Sequence, residues 1–184
     1  QLGSRYIQGL AGCEVPLDIH AQDPDSQALR KAELRWREVL PPERHRISFH
    51  HDSSVIPSDI EVAVVSTTAG IRPAVMEEFV TGHEVRYWII EKVVAQGLHD
   101  LERVVGAIDG AKGAWVNTWP RATPWYHRLR DLSVGRSPWR FEAVGRCWGM
   151  GCAAVHLLDF CSWWTGRKLI VVDTDGLDST WWPA

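Results

Sequence analysis

Three short stretches carry residue types suited to chemistry. The first is Gly3-Ser4-Arg5-Tyr6, with Asp23 about 20 positions further on. A glycine opening a helix permits close backbone approach, and the unpaired N–H groups of the first turn attract anionic oxygen. An acidic residue at that separation accepts hydrogen bonds from a ribose. Only the last glycine of a G-x-G-x-x-G turn is present, so a plain helix start and a strand-ending aspartate stand as the alternative. The second stretch is Ser66-Thr67-Thr68, after the apolar run that begins at Ile60, with Arg72 following. Hydroxyls at the C-terminal end of a parallel strand lie where α/β sheets bind ligands. Either threonine serves equally well as a helix cap. The third is Glu91-Lys92, directly after Val85 to Ile90. A lysine there is costly if buried alone. A place at a crevice, where its ammonium donates to a substrate oxygen and passes a proton, competes with simple solvation.

A fourth constellation lies nearer the C-terminus. Cys152, His156 and Asp159 stand at i, i+4 and i+7 on one helix face. They form either a site or a buried histidine satisfied by a neighbour. Cys147, Cys152, His156 and Cys161 raise a zinc alternative. Cys147 precedes the helix and Cys161 is offset, so convergence on one tetrahedral point is awkward and no metal is expected. His50-His51-Asp52 reads as a charged loop.

These residues need a scaffold, and the pattern supplies one. Leu2 to Ala11, Ser26 to Leu40, Pro73 to Thr81 and Gly97 to Ile108 read as helices. Leu17 to Ala21, Arg46 to His50, Ile60 to Ser66, Val85 to Ile90 and Trp115 to Asn117 read as strands. The apolar run that begins at Ile60, interrupted only by Glu61, predicts a strand covered on both faces. Alternation of strand and helix predicts an α/β fold, a Rossmann-type doubly wound parallel sheet. Beyond Trp119-Pro120 the pattern changes: a helix over Pro124 to Leu132, an outer strand over Trp139 to Arg146, a helix over Cys152 to Trp164 and a strand over Leu169 to Val172. The expected division is a dinucleotide-binding domain over residues 1–119 and the start of an α/β substrate domain over 120–184. The chain opens on the glycine turn itself, so a fragment is expected, with a first strand and a closing sheet outside it.

Composition narrows the classes of function. The chain has 184 residues, 45% hydrophobic and 23% charged, as in globular proteins. A net charge of −3 without a basic stripe argues against nucleic acid as a partner. No apolar run approaches the roughly 20 residues of a membrane span, and no membrane partner is expected. Gln1 to Arg5 does not read as a signal peptide. Four cysteines without a CxxC pair fit reduced thiols and a cytoplasmic location. Eleven tryptophans imply a thick core or a surface meant to be covered.

Taken together, Gly3-Ser4-Arg5-Tyr6, Asp23-Pro24, Ser66-Thr67-Thr68 and Glu91-Lys92 resemble the Gfo/Idh/MocA oxidoreductase family. The likeness continues through Val116-Asn117, Arg121, Pro124 and Tyr126 to Trp148–Asp159 and Trp164-Thr165-Gly166. The resemblance implies an NAD(P)-dependent enzyme that moves hydride between nicotinamide and a carbinol carbon of a sugar, cyclitol or nucleotide sugar. It implies Lys92 and His156 as catalytic residues. Gly3, Ser4, Arg5, Asp23, Ser66, Thr67, Thr68 and Glu91 would lie on the cofactor, and Arg121, Tyr126, Cys152 and Asp159 on the substrate. Asp23 implies NAD rather than NADP. Val93 stands where the family usually has proline, and Cys152 where it often has an acidic residue. Both departures resemble a divergent Glu-Lys-Val branch linked to surface polysaccharide synthesis. A homo-oligomer is expected of the full-length protein. A non-catalytic nucleotide-binding or interaction module of the same fold is the alternative.

Overall fold

A computed structural model describes residues 2–133, 140–144, 150–168, 171 and 173. The chain forms two compact units, Gln1–Val116 and Asn117–Ala184. No helix among the described residues is long and apolar enough to cross a membrane.

The first unit alternates helix and strand: α1 (Gly3–Leu10), β1 (Asp18–Gln22), α2 (Ser26–Glu38), β2 (Arg46–His50), β3 (Asp59–Val65), α3 (Arg72–Phe79), β4 (Glu84–Glu91), α4 (Leu98–Ala107) and β5 (Gly113–Asn117), which ends at the unit boundary. The unit is α/β, with parallel strands in two small sheets. β1 runs parallel to β2, from Asp18 opposite Arg46 to Gln22 opposite His50. β3 runs parallel to β4, from Asp59 opposite Glu84 to Val65 opposite Ile90, and β5 joins the far side of β4.

Each sheet has its own core. Alternation along β1 and β2 sends Ile19, Ala21, Ile47 and Phe49 to one face, against Ile7 and Ala11 from α1 and Trp36 of α2. The opposite face is polar, carrying Asp18, His20, Gln22, Arg46, Ser48 and His50. In the second sheet, Val65, Trp88 and Ile90 pack against Met76 of α3 and Val104 and Ala107 of α4. β3 departs from the expectation of a strand covered on both faces: Val62 is 49% exposed. The cause is its place at the sheet edge, with helices packed on the Ala63 and Val65 face.

Local chemistry sets the helix ends. Asp25 caps α2 by accepting from the Gln27 N–H at 2.8 Å. Pro73 sits in the first turn of α3, where no backbone donor is needed. α4 is tied to α3 by a two-pronged ion pair: Arg103 Nε and Nη2 donate to Glu77 Oε1 and Oε2 at 2.9 and 2.6 Å.

The second unit has one turn of 3-10 helix at Trp119–Ala122, then α5 (Pro124–Ser133) and α6 (Met150–Thr165). Phe160 of α6 is buried among rings, with Tyr126 at 4.9 Å and Trp164 at 5.2 Å between centroids. Gly166, at φ 67, ends α6 in a left-handed turn. Its N–H donates to Trp163 and that of Arg167 to Ser162, closing a Schellman motif. The strand expected over Trp139 to Arg146 is not formed in its described part: residues 140–144 are exposed and irregular. Among the described residues no strand pairs beside it to hold it extended. Of the strand expected at Leu169 to Val172, Leu169, Ile170 and Val172 lie outside the described residues, and Val171 is exposed without regular structure.

The Arg103 contact predicts a pH dependence. Hydrogen bonding from Arg103 holds the Glu77 carboxyl below its ordinary value. A depressed folded-state pKa stabilises the fold above the ordinary glutamate range, and that contribution disappears as pH falls through the depressed value. The stability gap between wild type and Arg103→Met is therefore expected to close between about pH 5 and pH 3. Thermal melts across that range check it; a gap independent of pH contradicts it.

Candidate functional site

In the first unit the candidate residues gather where α1 meets the C-terminal ends of β3 and β4. Gly3 opens α1 against Ser66, the residue that follows β3; a Cβ on Gly3 would lie 2.6 Å from Ser66 Oγ. The missing side chain is what permits this approach. One turn on, the Tyr6 hydroxyl donates to Oε1 of Glu91, the last residue of β4. Ser4 is buried, and its hydroxyl accepts from Arg35 of α2. Arg5 is exposed and donates to Gln8 Oε1 at 2.8 Å. Asp23 follows β1 and accepts the Asp25 N–H at 2.9 Å, so one of its carboxylate oxygens shapes the turn into α2.

The turn after β3 is organised by backbone rather than by hydroxyl caps. The N–H groups of Ile71 and Arg72 donate to the Thr68 carbonyl at 3.3 and 3.1 Å, and no side chain caps α3. Thr67 Oγ1 is buried and has no hydrogen-bond partner among the described residues. Arg72 is 1% exposed and works as a staple. One guanidinium arm donates to the carbonyls of Val93 and Val94, the latter at 2.9 Å; the other donates to the carbonyl of Thr67. The turns after β3 and β4 are thereby joined. Burial pushes the Arg72 pKa down, and the charge of Glu91 opposes that shift. Glu91 is 3% exposed, and Lys92 beside it is half-buried.

The second unit holds the other candidates. Arg121 and Asp159 bind each other through both prongs, Nε to Oδ2 at 2.6 Å and Nη2 to Oδ1 at 2.5 Å. Tyr126 packs its ring against Phe160 and lies 5.9 Å from Trp119. His156 meets the Trp119 ring edge-on at 6.3 Å, and its Nδ1 is buried. Cys152, one turn before it, is exposed. Cys147, from the zinc alternative, lies outside the described residues.

Three partners in these contacts were not singled out in the sequence for the role they have. In the sequence Tyr6 stands only as the last residue of the Gly3–Tyr6 stretch, Arg35 only within the helix read over Ser26 to Leu40, and Arg72 only as the residue that follows the hydroxyl run. Only for Arg72 was there a signal, a cation beside a proline at a helix start. No family model matches the chain, and no curated protein matches it.

The staple makes a quantitative prediction. Arg72→Met keeps most of the apolar volume but leaves three carbonyls without their donor. A loss of about 2–5 kcal/mol in denaturant-measured stability is expected. Arg72→Lys recovers part of it, since one ammonium cannot span the fork. A Met variant within about 0.5 kcal/mol of wild type would show that the staple is dispensable.

Proposed function

We propose that this protein is an NAD-dependent oxidoreductase of the Gfo/Idh/MocA type, acting on a carbinol carbon of a sugar, cyclitol or nucleotide sugar. The carrying observation is the meeting of α1 with two strand ends: Gly3 against Ser66, and Tyr6 on Glu91. A helix N-terminus brought to the C-terminal ends of parallel strands is the arrangement that nucleotide-binding α/β sheets use for a pyrophosphate. In this proposal β1–β2 and β3–β4–β5 are the two halves of a Rossmann-type, doubly wound sheet.

The residues present suit such a cofactor. A Cβ at Gly3 would press on the Ser66 hydroxyl at 2.6 Å, and the buried hydroxyl of Thr67 is left for a ligand. Gly3, Ser4 and Arg5 at the start of α1 would face the phosphate oxygens, Arg5 through its side chain, since its N–H donates to the Leu2 carbonyl at 2.8 Å. Asp23, with its second carboxylate oxygen, would accept from ribose hydroxyls and repel a 2′-phosphate. Ser66, Thr67, Thr68 and Glu91 would line the rest. Bound nicotinamide supplies the hydride acceptor or donor. Lys92 would hydrogen-bond the reacting substrate oxygen and hold its proton, with His156 as the second acid–base group. Arg121 and Asp159, already engaged with each other, support a positioning role better than direct substrate contact, and Tyr126 and Cys152 would complete the substrate side.

Calorimetry and turnover on the full-length protein test this. NAD is expected to bind more tightly than NADP, and Asp23→Ala to narrow that preference. Lys92→Ala is expected to lower kcat by about 10²–10⁴-fold with NAD affinity nearly unchanged. A preference for NADP would remove the role of Asp23. NAD binding with no turnover on any polyol or sugar tried would favour a non-catalytic module, and no binding of either dinucleotide would sink the proposal.

A further inference from the structure

The polar face of the β1–β2 sheet carries a paired imidazole site outside the residues discussed above. Parallel pairing sets His20 opposite Ser48 and Gln22 opposite His50, so the two histidines are diagonal neighbours on one face. Their rings converge: His20 Nδ1 lies 3.2 Å from His50 Nε2, with the ring planes 18° apart. The other ring nitrogen of His20, Nε2, lies 3.9 Å from Asp18 Oδ1, near enough for charge but not for a hydrogen bond. Both rings are half-buried.

We propose that His20 and His50 form a binding site for a late first-row divalent cation such as Zn²⁺, Ni²⁺ or Cu²⁺. Metal–imidazole bonds of about 2.0–2.1 Å at angles between square and tetrahedral hold two nitrogens about 2.9–3.4 Å apart. The observed separation falls within that span. With no ion, one N–H···N hydrogen bond closes the same pair. A ligating imidazole commonly turns its second nitrogen to a carboxylate, which fixes the tautomer and raises its basicity. Asp18, at 3.9 Å, is beyond hydrogen-bond reach of His20 and contributes only its negative charge beside the pair. Two nitrogen donors select late transition ions over Mg²⁺ and Ca²⁺, which take oxygen. Among the described residues no third His, Cys, Asp or Glu completes the set, so water fills the remaining positions. Arg46, opposite Asp18 on the same face, opposes the cation, so affinity is expected to be micromolar rather than nanomolar.

The test uses the full chain stripped of metal by a chelator and titrated by calorimetry with Zn²⁺ and then Ni²⁺. One equivalent is expected to bind. His20→Gln and His50→Gln should each weaken binding by about tenfold or more, and the double variant little further. His83→Gln, on another strand connection, should leave it unchanged. Asp18→Asn should weaken it less than either histidine variant. Should a variant not fold, the wild type still decides: substoichiometric Ni²⁺ should broaden the His20 and His50 imidazole resonances before those of the other six histidines. The site is excluded by affinity weaker than about 1 mM, by equal loss in His83→Gln, or by uniform broadening.

Discussion

The buried guanidinium of Arg72 is the constraint on which the candidate site of the first unit depends. Removing an arginine from water is expensive and is offset only when its donors and its charge are met. Here three carbonyls and the nearby charge of Glu91 meet them. The carbonyls belong to two different turns, one after β3 and one after β4. The turn after β3 has its own backbone bonds to the Thr68 carbonyl, and the arginine adds the cross-link between the two turns. Its own place is set by the first turn of α3, and α3 in turn is held by Met76 in the core and by Glu77 on Arg103. Core packing and loop position are thus one connected problem.

Satisfaction at this end of the sheet is incomplete in two respects. Arg72 Nε and Thr67 Oγ1 are buried without a hydrogen-bond partner among the described residues. Buried polar atoms are nearly always paired, so exceptions mark strain or a place for something else. A helix start, a hydroxyl run and a buried carboxylate meet in the same region. The carboxylate of Glu91, at the end of β4, takes the Tyr6 hydroxyl from α1. One residue therefore reports on the helix, on its own strand and, through charge, on the arginine.

What was legible in the sequence follows the range of the forces involved. α2 could be read because its apolar residues recur at helical spacing, and the structure adds the Asp25 cap that starts it. β2 could be read to the residue because a short alternating run sits between a proline-rich turn and a charged loop. β3 was read as covered on both faces because its apolar run carries no record of which neighbours are present. The segment at 140–144 alternates like a strand but no strand among the described residues pairs with it, and pairing is a property of two segments. The site residues show the same limit. Gly3, Ser66 and Glu91 stood out by type, yet the Tyr6–Glu91 contact joins residues 85 apart and the Arg121–Asp159 pair joins residues 38 apart. No local pattern encodes such partners.

His20 and His50 show how register creates chemistry that composition hides. In sequence, one histidine lies inside a strand and the other begins what looks like a charged loop. Shifting β1 by a single residue against β2 would turn every side chain to the other face and bury the polar set. The apolar set Ile19, Ala21, Ile47 and Phe49, packed on α1 and α2, prevents that slip. The same hydrophobic alternation that seats α1 therefore also brings two imidazoles to 3.2 Å on the opposite face. The packing that holds the glycine end of α1 near Ser66 and the pairing that aligns the histidines share one cause, so a substitution that loosens this core should disturb both faces of the sheet together.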